Sequence, residues 1–252
     1  MKLKYDDVGT GAPVVLVHGL GGTANVFGAQ VAALSPGFRV VAPDLRGCGG
    51  SDKGPVSIEA LVADVVELID GAGLESVHLV GHSLGSVIVQ HLAVEHPQMV
   101  RSIALIGPIQ GAPEAAKTAI RDRAEQARKV GLTGIADATV RVGTSPETKL
   151  NHPELAAFVR ELVMRQDPET YAQTCEMIID LVPAEIEKLR IPALVVTGDQ
   201  DATSPPATAK AIADKIPGSN YVELPECGHW TPIEKAAEVN ELLLQFLTKS
   251  NA

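Results

Sequence analysis

The length, composition and charge of the chain exclude several classes of protein. Its 252 residues, 45% of them hydrophobic and 21% charged, are enough for one large α/β domain or two small domains, each with a buried core. The formal net charge of −10 argues against nucleic acid or an anionic membrane surface as a partner, because both require a basic surface.

The first 107 residues alternate short apolar runs with helical patterns. Continuous β-branched runs predict four strands, and apolar residues at helical spacing predict three helices. The strands are predicted at residues 14–17, 39–42, 77–80 and 103–106, and the helices at 24–34, 57–69 and 84–96. Buried strands separated by helices indicate a mostly parallel sheet covered on both faces. Residues 3–8 and 14–17 are predicted to form a hairpin.

The pattern changes between residues 108 and 188, where only helical segments occur, at 114–130, 131–142, 153–165 and 168–179. An insertion of about 80 residues is too long for an ordinary connection, so we expect a helical lid (cap) domain at 108–188. Strands return at 193–197 and 220–224, and helices at 205–216 and 234–247. We therefore expect a core domain at 1–107 and 189–252, with a sheet of about seven strands.

Residues 81–85 read Gly-His-Ser-Leu-Gly. They match the Gly-x-Ser-x-Gly turn, which presents a nucleophilic serine, here Ser83, between a strand and a helix. The glycine-rich segment 18–22 follows the first buried strand, and the Gly-Lys-Ser/Thr of a phosphate-binding loop does not follow it. We predict that the backbone N–H groups of Leu20 and Leu84 form an oxyanion hole.

A serine hydroxyl needs a positioned base, and in this arrangement the chain order is serine, acid, histidine. His229 follows the last predicted strand, and Asp199 and Asp201 both follow the strand at 193–197. We favour Asp201 over Asp199, because the loop needs several residues beyond the strand to reach the imidazole. Asp201 would hold the tautomer of His229 that accepts a proton from Ser83.

The remaining composition gives no sign of a metal site, a disulfide or a targeting segment. Cys48, Cys175 and Cys227 lack Cys-x-x-Cys spacing, and reduced thiols are expected. No apolar run approaches the roughly 18 residues of a membrane span, and the first residues show no signal-peptide pattern. We expect a cytoplasmic location, with no membrane or nucleic-acid partner; the oligomeric state stays open.

Five segments together resemble the α/β-hydrolase superfamily. They are His18-Gly19-Leu20-Gly21-Gly22, Asp44-Leu45-Arg46-Gly47, Gly81-His82-Ser83-Leu84-Gly85, Gly198-Asp199-Gln200-Asp201 and Gly228-His229. The resemblance implies the α/β-hydrolase fold. In that family the acid lies three positions after the glycine of the strand-end loop, which matches Asp201.

The insertion resembles, more narrowly, the lid of 3-oxoadipate enol-lactonases. The resemblance rests on Arg128, Ile135-Ala136-Asp137, His152-Pro153-Glu154-Leu155 and Asp167-Pro168-Glu169, with Tyr171-Ala172 and Cys175. That group carries large aromatic residues where this chain reads Thr139-Val140-Arg141-Val142-Gly143. The difference should change the shape of the pocket, so a general carboxylesterase on the same scaffold stays open.

We therefore predict a serine hydrolase that cleaves a small-molecule carboxylic ester or lactone through an acyl-enzyme, without metal or organic cofactor. The predicted substrate-binding residues are Leu20, Leu132, Ile135, Leu162, Ile178 and Trp230. Six lid arginines are candidates to pair with a substrate carboxylate, although a solvated helix face is the commoner role; they are Arg121, Arg123, Arg128, Arg141, Arg160 and Arg165. The alternatives are a carbon–carbon bond hydrolase of ring-cleavage products, a cofactor-free peroxidase and a slow-turnover ligand receptor.

Overall fold

The computed structural model, which describes residues 1–251, contains one seven-stranded sheet. The strands are β1 (Tyr5–Val8), β2 (Ala12–Val17), β3 (Phe38–Pro43), β4 (Val77–His82), β5 (Val100–Ile106), β6 (Ala193–Gly198) and β7 (Asn220–Leu224). Their order across the sheet is β1-β3-β2-β4-β5-β6-β7. Every neighbouring pair is parallel except β1 with β3, which confirms the predicted mostly parallel sheet.

The predicted hairpin between residues 3–8 and 14–17 is wrong. β1 pairs antiparallel with β3, with Tyr5 opposite Pro43, whereas β2 pairs in parallel with β3 on one side and with β4 on the other. Both edges of β2 are therefore occupied. The turn before β2 has Gly9 at φ +85°, and a Cβ there would lie 2.3 Å from the Phe38 carbonyl oxygen, so the chain passes close against the start of β3.

Eleven α-helices are present in residues 1–251. They are α1 (Gly28–Leu34), α2 (Ile58–Gly71), α3 (Leu84–Glu95), α4 (Lys117–Val130), α5 (Thr133–Gly143), α6 (Pro146–Asn151), α7 (Pro153–Met164), α8 (Pro168–Ile179), α9 (Pro206–Lys215), α10 (Thr231–Glu234) and α11 (Ala236–Asn251). Helices α4 to α8 all lie between β5 and β6, in the segment 108–188, hereafter the helical insert. None of the helices in the described residues has the length and apolarity needed to cross a bilayer.

Two helix predictions differ from the structure. Helix α6 was not predicted. Ser145 accepts a hydrogen bond from the Thr148 N–H and Pro146 occupies the first turn, and both features favour a helix start. The closing helix, predicted at 234–247, is divided into α10 and α11. The short α10 follows directly after His229 and places Glu234 at its end.

Apolar residues form one layer on each face of the sheet. Alternate residues of β2 point to opposite faces, so Val15 and Val17 pack on the side of α2 and α3, and Val14 and Leu16 on the side of α1 and α11. Most of the buried insert residues join the second layer. The insert is therefore packed against the same core that carries the carboxyl ends of the strands, where ligands bind in open α/β sheets.

Candidate active site

Ser83 occupies a strained turn between β4 and α3. Its φ of +54° and ψ of −118° are rare for a residue with a side chain, and such strain accumulates at functional sites. Gly81 and Gly85 make the turn possible, because a Cβ would lie 2.4 Å from the Gly85 carbonyl oxygen and 1.9 Å from the Val17 carbonyl oxygen, respectively. The Ser83 N–H donates to the Ile106 carbonyl at 2.9 Å, which holds the turn at the end of β5.

A continuous hydrogen-bonded chain joins Ser83, His229 and Asp201. The Ser83 Oγ lies 2.8 Å from His229 Nε2, and His229 Nδ1 lies 2.8 Å from Asp201 Oδ2. An ionised carboxylate can only accept, so the proton is on Nδ1 and Nε2 is free to accept from the hydroxyl. The three residues are 7%, 7% and 2% exposed, in that order. The structure thus brings together the three residues that chain order selected.

Asp201 is held as an ionised partner of His229. Burial raises the pKa of Asp201, but the interaction with His229 and the hydrogen bonds from the Ser204 and Thr203 N–H groups together lower it more, so that the pKa lies below its usual value. Its Oδ1 also accepts from the N–H groups of Thr203 and Ser204, at 2.8 and 2.7 Å. Asp199, the other candidate, accepts from the Cys227 N–H at 3.1 Å instead.

Two backbone N–H groups lie next to Ser83 without a backbone acceptor within residues 1–251, those of Leu20 and Leu84. Gly19, which precedes Leu20, packs so closely that a Cβ there would lie 2.8 Å from the Ser83 Cβ. His18 fixes this loop: its Nδ1–H donates to the Gly19 carbonyl at 2.8 Å, and its Nε2 accepts from the Leu45 N–H at 2.9 Å. Two donors beside a serine are the arrangement that binds an oxyanion.

A cavity of about 160 Å³ adjoins Ser83 and His229. Of the predicted substrate-binding residues, Leu20, Ile135 and Trp230 line it. Leu132, Leu162 and Ile178 do not: Leu132 and Leu162 are buried in the apolar layer that contains α1 and α11, and Ile178 in the layer that contains α2 and α3.

Other lining residues come from the insert and were not predicted as substrate-binding. They are Ala138, Thr139, Val142, Gly143, Val163 and Tyr171, and Thr203 joins them from the core. Arg123, one of the six candidate arginines, also lines the cavity.

Comparison with known proteins identifies the family. A sequence model of the alpha/beta hydrolase fold matches residues 12–236. The chain belongs to the α/β-hydrolase family. An esterase from Thermogutta terrifontis is 30% identical, with a TM-score of 0.95 over 99% of this chain and 94% of that one. The enol-lactonase from Burkholderia xenovorans LB400 is 31% identical, with a TM-score of 0.91 over 98% and 96%. Pyrrolizixenacetamide deacetylase from Xenorhabdus hominickii is 31% identical, and the match covers 98% of this chain and 94% of the deacetylase chain.

A buried glutamate fixes the loop of the α/β-hydrolase that carries His229. Glu234, 8% exposed, accepts four hydrogen bonds, from the Ser145 N–H, the Thr148 hydroxyl, the Gly228 N–H and the Trp230 N–H, at 2.7, 2.8, 3.2 and 3.1 Å. Ser145 and Thr148 belong to the insert, so one carboxylate joins the insert to the histidine loop. Glu234 was not predicted as a functional residue, because nothing in its sequence neighbourhood distinguishes it from the other acidic residues.

His82 supports the same loop. Its Nε2–H donates to the His229 carbonyl at 2.8 Å. Its ring centroid lies 5.1 Å from that of His229 and 5.6 Å from that of Trp230. Burial lowers the pKa of His82 to about 3, so the ring is neutral near pH 7 and acts as a hydrogen-bond donor that holds the His229 backbone.

Proposed function

We propose that this α/β-hydrolase cleaves a carboxylic ester or lactone of a small molecule through an acyl-serine intermediate. The observation that carries the proposal is the buried hydrogen-bonded chain from Ser83 through His229 to Asp201. The similar proteins include an esterase and an enol-lactonase, both of which fit attack on a carboxylic ester bond.

The proposed reaction has two acyl-transfer steps. The Ser83 Oγ attacks the substrate carbonyl while His229 Nε2 takes the hydroxyl proton, and Asp201 stabilises the imidazolium that forms. The N–H groups of Leu20 and Leu84 bind the oxyanion of the tetrahedral intermediate. The alcohol leaves with the proton from His229, and a water molecule, activated by the same histidine, releases the acid and restores Ser83.

The helical insert is proposed to act as a lid that shapes the acyl pocket. Arg123 from α4, Ile135 from α5, Val163 from α7 and Tyr171 from α8 all line the cavity beside Ser83. A volume of about 160 Å³ favours short acyl chains, since pockets for drug-sized ligands hold roughly 300–1,000 Å³.

The test compares Ser83→Ala with Ser219→Ala, a serine between α9 and β7 that does not line the cavity. Hydrolysis of p-nitrophenyl butyrate and opening of 3-oxoadipate enol-lactone are measured under steady-state conditions. Ser83→Ala should lower kcat by about 10⁴-fold or more, and Ser219→Ala should keep it. A sulfonyl fluoride should label the wild-type protein on Ser83, which mass spectrometry of the peptide detects.

Two results would contradict the proposal. Full turnover in Ser83→Ala would remove this serine from the mechanism. A single burst of product without further turnover would favour the slow-turnover receptor instead.

A further inference from the structure

The catalytic cavity carries one fixed charge. We propose that Arg123 binds a carboxylate at the far end of the acyl part of the substrate, so that the preferred substrates are half-esters of dicarboxylic acids. The proposal deepens the proposed function and rests on it, because it concerns the substrate that Ser83 would attack.

The lining of the cavity supports an anionic ligand. Among the lining residues within 1–251, Arg123 is the one with a permanently charged side chain, and no aspartate or glutamate lines the cavity. Most of the other lining residues are apolar. The guanidinium is the one group of this lining that can pair with a carboxylate in a bidentate, charge-assisted contact.

The other lid arginines either form ion pairs with carboxylates of the insert or do not line the cavity. Arg128 pairs with Glu169 and Glu176, and the ion-pair partners of Arg160 and Arg165 are Asp137 at 2.6 Å and Glu161 at 3.6 Å. Arg121 and Arg141 are exposed and do not line the cavity. For Arg123, no carboxylate within residues 1–251 lies within salt-bridge distance. Its charge is therefore available to a ligand.

Two further donors make the same wall suitable for oxygen acceptors. Tyr171 is 4% exposed, and burial raises the pKa of its phenol to about 12, while the positive charge of Arg123 acts in the opposite direction. The phenol is thus a neutral donor beside the guanidinium. Trp230, which also lines the cavity, has a buried indole N–H with no acceptor in residues 1–251.

Arg123 is exposed although it lines the cavity, and most exposed arginines only interact with solvent. Position distinguishes it from Arg121, two residues earlier on α4, because residues two apart face different sides of a helix. The net charge of −10 repels anions at long range, but salt screens that field over about 8 Å, so a guanidinium in contact with the ligand decides the local preference.

The experiment compares monoethyl adipate with ethyl adipamate, which has the same shape but a neutral amide in place of the carboxylate. Proton release or product chromatography gives kcat/KM for each ester in the intact protein. The wild type should prefer the half-ester by about tenfold or more. Arg123→Gln should lower the ratio of the two kcat/KM values by about tenfold, and Arg123→Lys should restore part of it. Arg121→Gln, the matched control on the same helix, should leave the ratio unchanged.

A binding measurement separates this inference from the proposed function. Calorimetric titration of adipate into Ser83→Ala should show binding that the additional change Arg123→Gln weakens about tenfold. Equal ratios for wild type and Arg123→Gln, or equal adipate binding with and without Arg123, would overturn the inference. Ester hydrolysis that depends on Ser83 without any preference for the half-ester would leave the proposed function standing and remove only the carboxylate assignment. Absence of all ester turnover would remove the proposed function, while the adipate titration would still decide the role of Arg123.

Discussion

Replacing Glu234 by glutamine tests whether this carboxylate joins the helical insert to the histidine loop. Oε2 accepts from two donors of the insert, Ser145 and Thr148, and from Gly228, whereas Oε1 accepts from the Trp230 N–H. An amide has one acceptor oxygen. If that oxygen takes the place of Oε2, the NH₂ group faces the Trp230 N–H, and two donors oppose each other.

The size of the effect follows from these contacts. Three hydrogen bonds change from charged to neutral, and hydrogen bonds to charged groups contribute about 1.5–3 kcal/mol against about 0.5–1.5 kcal/mol for neutral ones. The fourth is lost and leaves a buried donor unpaired, at a further cost of about 1–3 kcal/mol. Removing a buried charge offsets part of the sum. We expect Glu234→Gln to lower the free energy of unfolding by about 2–4 kcal/mol.

Urea denaturation at pH 7 measures the change, with tryptophan fluorescence and far-ultraviolet circular dichroism as two probes. The chain has one tryptophan, Trp230, which is 3% exposed and lies in the affected loop, so its fluorescence reports on the site directly. Glu238→Gln, at an exposed position of α11, is the matched control. A free energy of unfolding for Glu234→Gln within about 0.5 kcal/mol of the wild type, as for an ordinary surface change, would refute the reasoning.

Two further predictions concern the charge states of the site. Asp201→Asn should lower kcat by about 10⁴-fold, because an asparagine amide favours the wrong tautomer of His229; unchanged turnover would contradict the assigned role. Burial lowers the pKa of His18, that of His78 to about 4 and that of His82 to about 3. The unfolded chain therefore binds more protons below about pH 6.5. Each such group contributes up to about 1.4 kcal/mol per pH unit. His78 and His82 together should therefore lower the free energy of unfolding by up to about 3 kcal/mol between pH 6 and 5, as measured by urea denaturation. His78→Gln should reduce the slope by up to about 1.4 kcal/mol per pH unit; a flat profile would contradict the account.

The sequence predicted the three members of the hydrogen-bonded chain because each follows a strand that can be recognised locally. Ser83 follows β4 directly, Asp201 lies three residues after the end of β6, and His229 lies five residues after the end of β7. The carboxyl ends of parallel strands meet at one edge of a sheet. The contact between Ser83 and His229 could therefore be predicted although 146 residues separate them in the sequence. The choice between Asp199 and Asp201 was harder, since it depends on the path of a short loop.

The substrate-binding residues were harder to predict, because helical periodicity shows that a helix has a buried face but not what covers it. Leu132, Leu162 and Ile178 are buried as expected for apolar residues, but they pack on other side chains. Ile135 is buried to the same extent and faces the cavity. The choice among the lid arginines likewise depends on how α4 and α8 are placed, which is set by tertiary contacts between insert and core.

The helical insert contacts the histidine loop at one place and carries Arg123 at another, which separates the geometry of His229 from the charge of the cavity. Near His229 it is fixed by the buried hydrogen bonds of Glu234 and by the His229 N–H, which donates to the Gly143 carbonyl at 2.8 Å. At α8 the insert is joined to the core by other contacts: Ile178 is buried in the layer that contains α2 and α3, Gln173 accepts from the Val56 N–H at 3.2 Å, and Asp167 pairs with Lys53. A change at Glu234 therefore alters His229 and the cavity wall together. A change on α4 at Arg123 alters the charge of the cavity and leaves those hydrogen bonds intact, so substrate preference can vary while the Ser83–His229–Asp201 geometry stays the same.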